Sequence, residues 1–425
     1  VRALEDEAAR INKPVTAREF RHYFKKKREC TESSPSGRHI GHYKAILEHE
    51  DLVDLLVSML NIGINTGCAL SRWQQTVSVM LEKDKGSPKI DRLRIIQLFE
   101  ADYNFLLSLV LGHRLMNFAR KHCHFNESQY GSLKGKQAQS AILNKILTYD
   151  YFQMQKENAA TAEFDAAANY DRILPAIAVI ACQRLGLAKK IGDLFFNSLD
   201  RLKHKVRTSY GLSAEYGPSV DFPLFGSGQG SGGSPIFWAV IADVLFNTMD
   251  GYRTELQLRD PAGAIVSKRN KDGYVDDTSL GADGRDINVV GRLRTAAQRH
   301  EKVLFATGGK LALSKCTWVF INWTWTEGLA TMATYTEYDE SGVDGGRLRL
   351  VQSETGEEVE IEVESFHLAS KIVFRMCLRM CLGDQTLYVD SMWIPECVCS
   401  LLNVSGMLDL ASKVVFQMCL RMCLG

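Results

Sequence analysis

Two carboxylates stand side by side at Asp276 and Asp277, in the stretch GYVDDTSLGAD (273–283), within a run of apolar and β-favouring residues. Like charges repel, and a buried carboxylate without a partner is costly. A divalent cation held between them and a third acid would remove the conflict. EFDAAANYDRI supplies such an acid at Asp165, with an aromatic side chain, Tyr170, five residues later. Between the two stretches lies GQGSGGSPIFW, where Gln229 and Gly230 sit among glycines that permit close backbone approach. Oxygen ligands of this kind suit magnesium, which keeps several of its waters when bound.

These residues need elements to position them. TAEFDAAANYDRIL reads as a short strand running into a helix, which places Asp165 at a strand end. GYVDDTSLGA fits a hairpin with the acids at its turn, and the glycines from 226 precede a long apolar helix, IFWAVIADVLFNTM. TVSVMLEKDKGSPKIDRLRIIQL reads as a strand, a glycine-containing turn and a second strand, with basic residues at the tip. Helices are expected to dominate residues 101–155. Thr16 and Glu19 predict a capping box for a helix running to about Arg28, and HEDLVDLLVSMLNIGINTG predicts a helix that stops at its last glycine. RLRLVQSETGEEVEIEV alternates around a Thr-Gly turn, so an exposed hairpin is expected there. The ten acids between Glu337 and Glu364 are expected to form a solvated surface.

Composition places limits on class. The 425 residues are 45% hydrophobic and 24% charged, which suits a globular protein of two or three subdomains rather than a disordered chain. The net charge of +1 hides an asymmetry: residues 1–140 hold 22 Lys and Arg against 16 Asp and Glu, and the rest holds 29 against 34. Lys25, Lys26, Lys27 and Arg28 read as a solvated helix end and say little about nucleic acid by themselves. No apolar run is long enough for a transmembrane helix and no secretory signal opens the chain, so a soluble, intracellular protein with no membrane partner is expected. Eleven scattered cysteines suit free thiols. SKIVFRMCLRMCLG at 370–383 recurs as SKVVFQMCLRMCLG at 412–425, a duplication whose Cys377, Cys381, Cys419 and Cys423 read as helix packing rather than as zinc ligands. The start at Val1 suggests a piece of a longer reading frame.

In the order Asp-x4-aromatic-Asp, Gln-Gly-x3-Ser-Pro and aromatic-x-Asp-Asp, the sequence resembles the reverse transcriptases, most closely those of non-LTR (LINE-like) retrotransposons. SVMLEKDKGSPKIDRLRIIQL is similar to the family's basic fingers hairpin, with Ile95 where proline is usual; NESQYGSLKGKQAQSAI has Ser132 where phenylalanine is usual; ATGGKLALSKCTWVF resembles the Gly-to-Lys element. The likeness spans roughly residues 34 to 320. It implies an α+β right-hand polymerase: an N-terminal helical extension (1–33), fingers (34–162), a palm with an antiparallel sheet (163–335), and an acidic hairpin with a partial thumb (336–425).

The resemblance implies RNA-directed DNA synthesis, with an RNA template, a DNA primer and dNTPs as partners and action in the nucleus. Asp165, Asp276 and Asp277 would be catalytic and would hold two Mg²⁺ ions about 4 Å apart. Tyr170 would exclude a 2′-hydroxyl, and Gln229 and Gly230 would lie near the nascent base pair. Lys83, or Lys85 in its place, and Arg94 would hold the triphosphate. Lys315 would give a proton to pyrophosphate. Asp171 and Arg172 would pair with each other. The competing reading is a catalytically silent, reverse-transcriptase-like fragment that binds nucleic acid or survives as a relic; FHLASKIVF stands where the family has a His and a Thr-Leu-Gly-type hairpin. An RNA-dependent RNA polymerase ranks third, since Val275 precedes the acids where glycine would be expected and Tyr170 stands where a small or polar residue would be.

Overall fold

A computed structural model describes residues 7–30, 35–83, 86, 89–90, 93–219, 226–250, 254–284, 288–333 and 347–363. The duplicated C-terminal segment, its four cysteines and Lys85 lie outside the described residues. The described cysteines Cys30, Cys68, Cys123, Cys182 and Cys316 are free thiols. No helix among the described residues is long and apolar enough to cross a membrane.

Local sequence rules set the first helices. The helix α1 (Ala17–Lys26) begins with the capping box expected at Thr16 and Glu19, and buries Phe20 and Phe24. Short α2 (Ile40–Ile46) leads to α3 (Glu50–Thr66), which ends on Gly67 in the left-handed conformation, as the glycine stop requires. Then α4 (Ala101–Leu107), a π-helical turn (Ser108–Leu115) and α5 (Met116–Lys121) run through the core, followed by α6 (Ala138–Gln155).

The first sheet contains the expected basic-tipped hairpin. Strands β1 (Gln75–Glu82) and β2 (Leu93–Leu98) pair antiparallel, with Leu81 opposite Arg94 and Glu82 opposite Leu93. The other edge of β1 pairs in parallel with β4 (Lys203–Thr208), which carries short β5 (Gly211–Leu212). The expected boundaries put residues 34–162 and 163–335 in separate regions, yet β4 of the second stretch completes the sheet of the first.

The second sheet runs in the order β11-β10-β3-β9-β8, with β14 added to β10. Its strands are β3 (Ala159–Asp165), β8 (Lys271–Tyr274), β9 (Asp277–Asp283), β10 (Thr317–Thr326), β11 (Leu329–Ala333) and β14 (Glu362–Val363). Side chains alternate between faces of a strand. Ala160, Ala162 and Phe164 enter the main core with Leu280 and Ala282 of β9, on the side where α11 (Val289–Ala306) packs. Thr161, Glu163 and Asp165 therefore share the opposite face. There α6 covers the first part of β3, with Tyr149 Oη 2.8 Å from Thr161 Oγ1 and Lys145 Nζ 2.6 Å from Glu163 Oε2. The strand end at Asp165 extends past that cover.

The remaining elements brace these sheets. A one-turn helix α7 (Asn169–Arg172) follows β3; α8 (Pro175–Arg184), α9 (Lys189–Asp200) and apolar α10 (Ser234–Met249) contribute their buried residues to the main core. A side hairpin is made by β6 (Leu256–Arg259) and β7 (Ile265–Arg269). The expected hairpin in the acidic stretch is β12 (Arg349–Val351) with β13 (Glu358–Glu360). It buries Leu350 and docks on α11, where Glu301 accepts from Ser353 N at 2.9 Å. The described acids of this stretch, Glu354, Glu357, Glu358, Glu360 and Glu362, are exposed as expected, and Glu354 at the hairpin's turn also pairs with Arg172 and Lys310. The fold is α+β with mainly antiparallel sheets, as the sequence predicts.

Candidate active site

Asp165 and Asp277 are register partners on adjacent antiparallel strands, so they share one face at the open end of the sheet. Asp276 occupies the turn between β8 and β9. Like charges in such a cluster disfavour one another's ionisation. Burial, and next the Asp165 charge, hold the Asp276 carboxyl above the usual carboxylate range; Lys315 and Arg94 act the other way. Burial and the neighbouring Asp276 push Asp277 up to about 7, while Lys145 opposes the shift. Lys315 Nζ lies 2.8 Å from Asp165 Oδ2. Three acids scattered over 113 positions thus converge on one electrostatic cluster.

The expected ligand set is less complete. Among the described residues no three His, Cys, Asp or Glu side chains stand together as a ready-made cage for one ion, and Asp165 is engaged by Lys315. Magnesium does not demand such a cage: one or two carboxylates, waters and substrate phosphate oxygens suffice. The chemistry of the donors, hard carboxylate oxygens under mutual repulsion, fits that ion.

Tyr170 is half-buried beside the acids, and burial, then the Asp276 charge, raises its phenol above the ordinary value. Its carbonyl accepts from Ser227 N at 2.7 Å. The glycine loop is thereby tied to the aromatic residue five positions after the β3 acid. Asn104 Oδ1 accepts from Gly232 N at 2.8 Å, and the single Ser234 hydroxyl proton is shared between the Ser227 and Gly228 carbonyls, 2.8 and 2.7 Å from Oγ. On the loop's other side Gln97 N of β2 donates to the Gln229 carbonyl at 2.6 Å. Gly230, at φ +109, leaves no room for a side chain, since a Cβ would stand 2.4 Å from the Gln97 carbonyl oxygen. Gln229 and Gly230 therefore lie between the basic hairpin and Tyr170.

The basic residues divide. Arg94 acts on Asp276, whereas Lys83 acts on Asp171, whose carboxyl is raised by burial and lowered in part by that lysine. The expected Asp171–Arg172 pair is not formed. Arg172 instead reaches Glu354 at 3.2 Å and the Gly308 carbonyl at 3.3 Å, because the β12–β13 hairpin brings an acid within its reach. Two further charged residues, Glu163 and Lys145, stand beside the acids. Glu163 was legible in principle, since it precedes Asp165 by two and so shares its face. Lys145 carries no such signal; it comes from α6 and meets Glu163 only in the folded chain.

No protein-family model matches the chain, and no curated protein does. Solved structures do. Telomerase from Candida tropicalis, in an apo form truncated from the C-terminal domain, is 12% identical with a TM-score of 0.39, over 61% of this chain and 53% of that one. The same organism's telomerase in complex with a TWJ fragment of telomeric RNA is 14% identical with a TM-score of 0.40, over 66% and 47%. Telomerase from Candida albicans, also with a TWJ fragment, is 14% identical with a TM-score of 0.40, over 70% and 49%. The chain spans about half the length of these solved chains.

Proposed function

We propose that the chain is the reverse-transcriptase region of a non-LTR retrotransposon, an RNA-directed DNA polymerase that adds deoxynucleotides to a primer 3′-hydroxyl. The observation that carries this reading is the convergence of Asp165, Asp276 and Asp277 at a sheet end bordered by Tyr170 and the glycine loop. In it the first sheet and the helices around it are fingers, the second sheet is the palm, and an RNA template and DNA primer are gripped through their backbones, because shape is what every sequence shares.

Asp165, Asp276 and Asp277 would hold two Mg²⁺ ions, which when bound supply charge neutralisation at the reacting phosphate and a lowered pKa at the primer hydroxyl. Arg94 would grip the triphosphate with its forked donors, and Lys83 would add a point charge once drawn from Asp171. Lys315 would leave Asp165 as the acids are filled and give its proton to departing pyrophosphate. Tyr170 would close the space that a ribose 2′-hydroxyl needs. Gln229 and Gly230 would support the new base pair.

Primer extension on an RNA template with magnesium tests the reading. Deoxynucleotide incorporation is expected, with a loss of at least about a hundredfold in Asp276→Asn. Tyr170→Ala is expected to admit ribonucleotides. Firm template binding with no extension favours the silent fragment instead; its support is the departure at FHLASKIVF, outside the described residues.

A further inference from the structure

The turn that presents the two adjacent acids has a backbone conformation that its own sequence disfavours. Val275 has φ +57, in the left-handed region that a β-branched residue enters only under constraint. Its neighbours supply the constraint. Trp238 of α10 is only 3% exposed, and its indole N–H donates to the Val275 carbonyl. Gly131 lies flat against the turn, so that a Cβ there would stand 2.2 Å from Val275 N. The segment carrying Gly131 is bonded to β8, Tyr130 N to the Gly273 carbonyl at 2.8 Å and Gly273 N to the Ser128 carbonyl at 3.0 Å. Gln129 Nε2 donates to the Ala239 carbonyl at 3.0 Å, which ties the same segment back to α10.

We propose that Trp238 and Gly131 are positioning residues that hold Val275 left-handed and so fix the direction in which Asp276 and Asp277 leave the turn. An indole N–H can only donate, and burial makes its acceptor matter: the turn carbonyl satisfies it only while the peptide after Val275 keeps its present orientation. Relaxation of Val275 to an extended conformation would rotate that carbonyl away and re-aim both carboxylates. The consequence for catalysis rests on the polymerase reading, whereas the clamp itself does not.

Hydrogen exchange of the metal-free full chain, measured on the peptide that spans the turn, reads the clamp without any catalysis. Trp238→Phe keeps a ring and removes the donor, and exchange at the turn is expected to quicken roughly tenfold. Adding Val275→Gly, which takes positive φ without strain, is expected to recover much of the kcat lost in Trp238→Phe, with the KM for deoxynucleotide unchanged. If Trp238→Phe does not fold, Gly131→Ala decides, with the same quickened exchange expected. Unchanged exchange in the folded variants overturns the proposal, as does a kcat loss that Val275→Gly leaves unrepaired. An inactive parent chain whose turn still loosens in Trp238→Phe sinks the polymerase reading and supports the clamp.

Discussion

Asp277 makes the acid cluster measurable without a substrate. In the folded chain, burial and Asp276 let it keep its proton up to about pH 7, whereas in the unfolded chain it loses that proton near the ordinary carboxylate value. Between those values the folded state binds more protons, so stability falls as pH rises through that window and the loss is complete above it. The Tm of the metal-free protein is therefore expected to drop between about pH 4 and pH 7, with Asp277→Asn flattening the drop and millimolar magnesium restoring Tm at the upper end. A flat profile in the unsubstituted chain counts against a coupled cluster. The acids were legible because adjacent carboxylates in a β-favouring run defy local chemistry and so advertise a purpose. Lys145 and Trp238 were not, since a lysine and a tryptophan on helices have ordinary reasons to be there until the fold shows what they touch.

At the scale of elements, legibility followed locality. The capping box at Thr16, the glycine stop at Gly67 and the hairpins around residues 86, 275 and 356 are written in a few consecutive residues, and the structure has them all. Strand β4 carries no local signal, because KHKVRT has no apolar alternation and its pairing partner is more than a hundred residues away. The entry to β1 depends on another non-local device. Arg72 meets Asp102 Oδ1 at 2.6 Å and Glu100 Oε2 at 3.4 Å, and Glu100 also accepts from Ser36 N at 3.0 Å. The side chains of Glu100 and Asp102 are 0% and 3% exposed. Arg72→Ala would strand both carboxylates in the interior, and the expected loss is about 3–5 kcal/mol, read as a lowered urea midpoint. A loss below about 1 kcal/mol would mean that water or another cation replaces the guanidinium.

For the whole molecule, the first sheet is not closed within the first 162 residues, because β1 takes a parallel partner from residues 203–208. The main core draws on residues from Ile11 to Ile361, a smaller cluster gathers Ile142, Ile146, Tyr149 and Phe152 with Ala159, Leu256 and Ile321, α3 packs on α9, and β1 shares its edge with β4. A polypeptide cut after residue 162 retains the β1–β2 hairpin but loses β4, α8, α9 and α10. It is expected to show no cooperative denaturant transition, while the full chain shows one; a sharp transition in the fragment would establish the first 162 residues as a domain. The parallel pairing of β1 has a further consequence during biosynthesis. Lys203 leaves the ribosome on the order of ten seconds after Glu82 at ordinary elongation rates. Until then one edge of β1 offers unpaired amides and carbonyls to any nascent chain nearby. Faster translation between those two positions, or a chaperone that shields that edge, should raise the soluble yield.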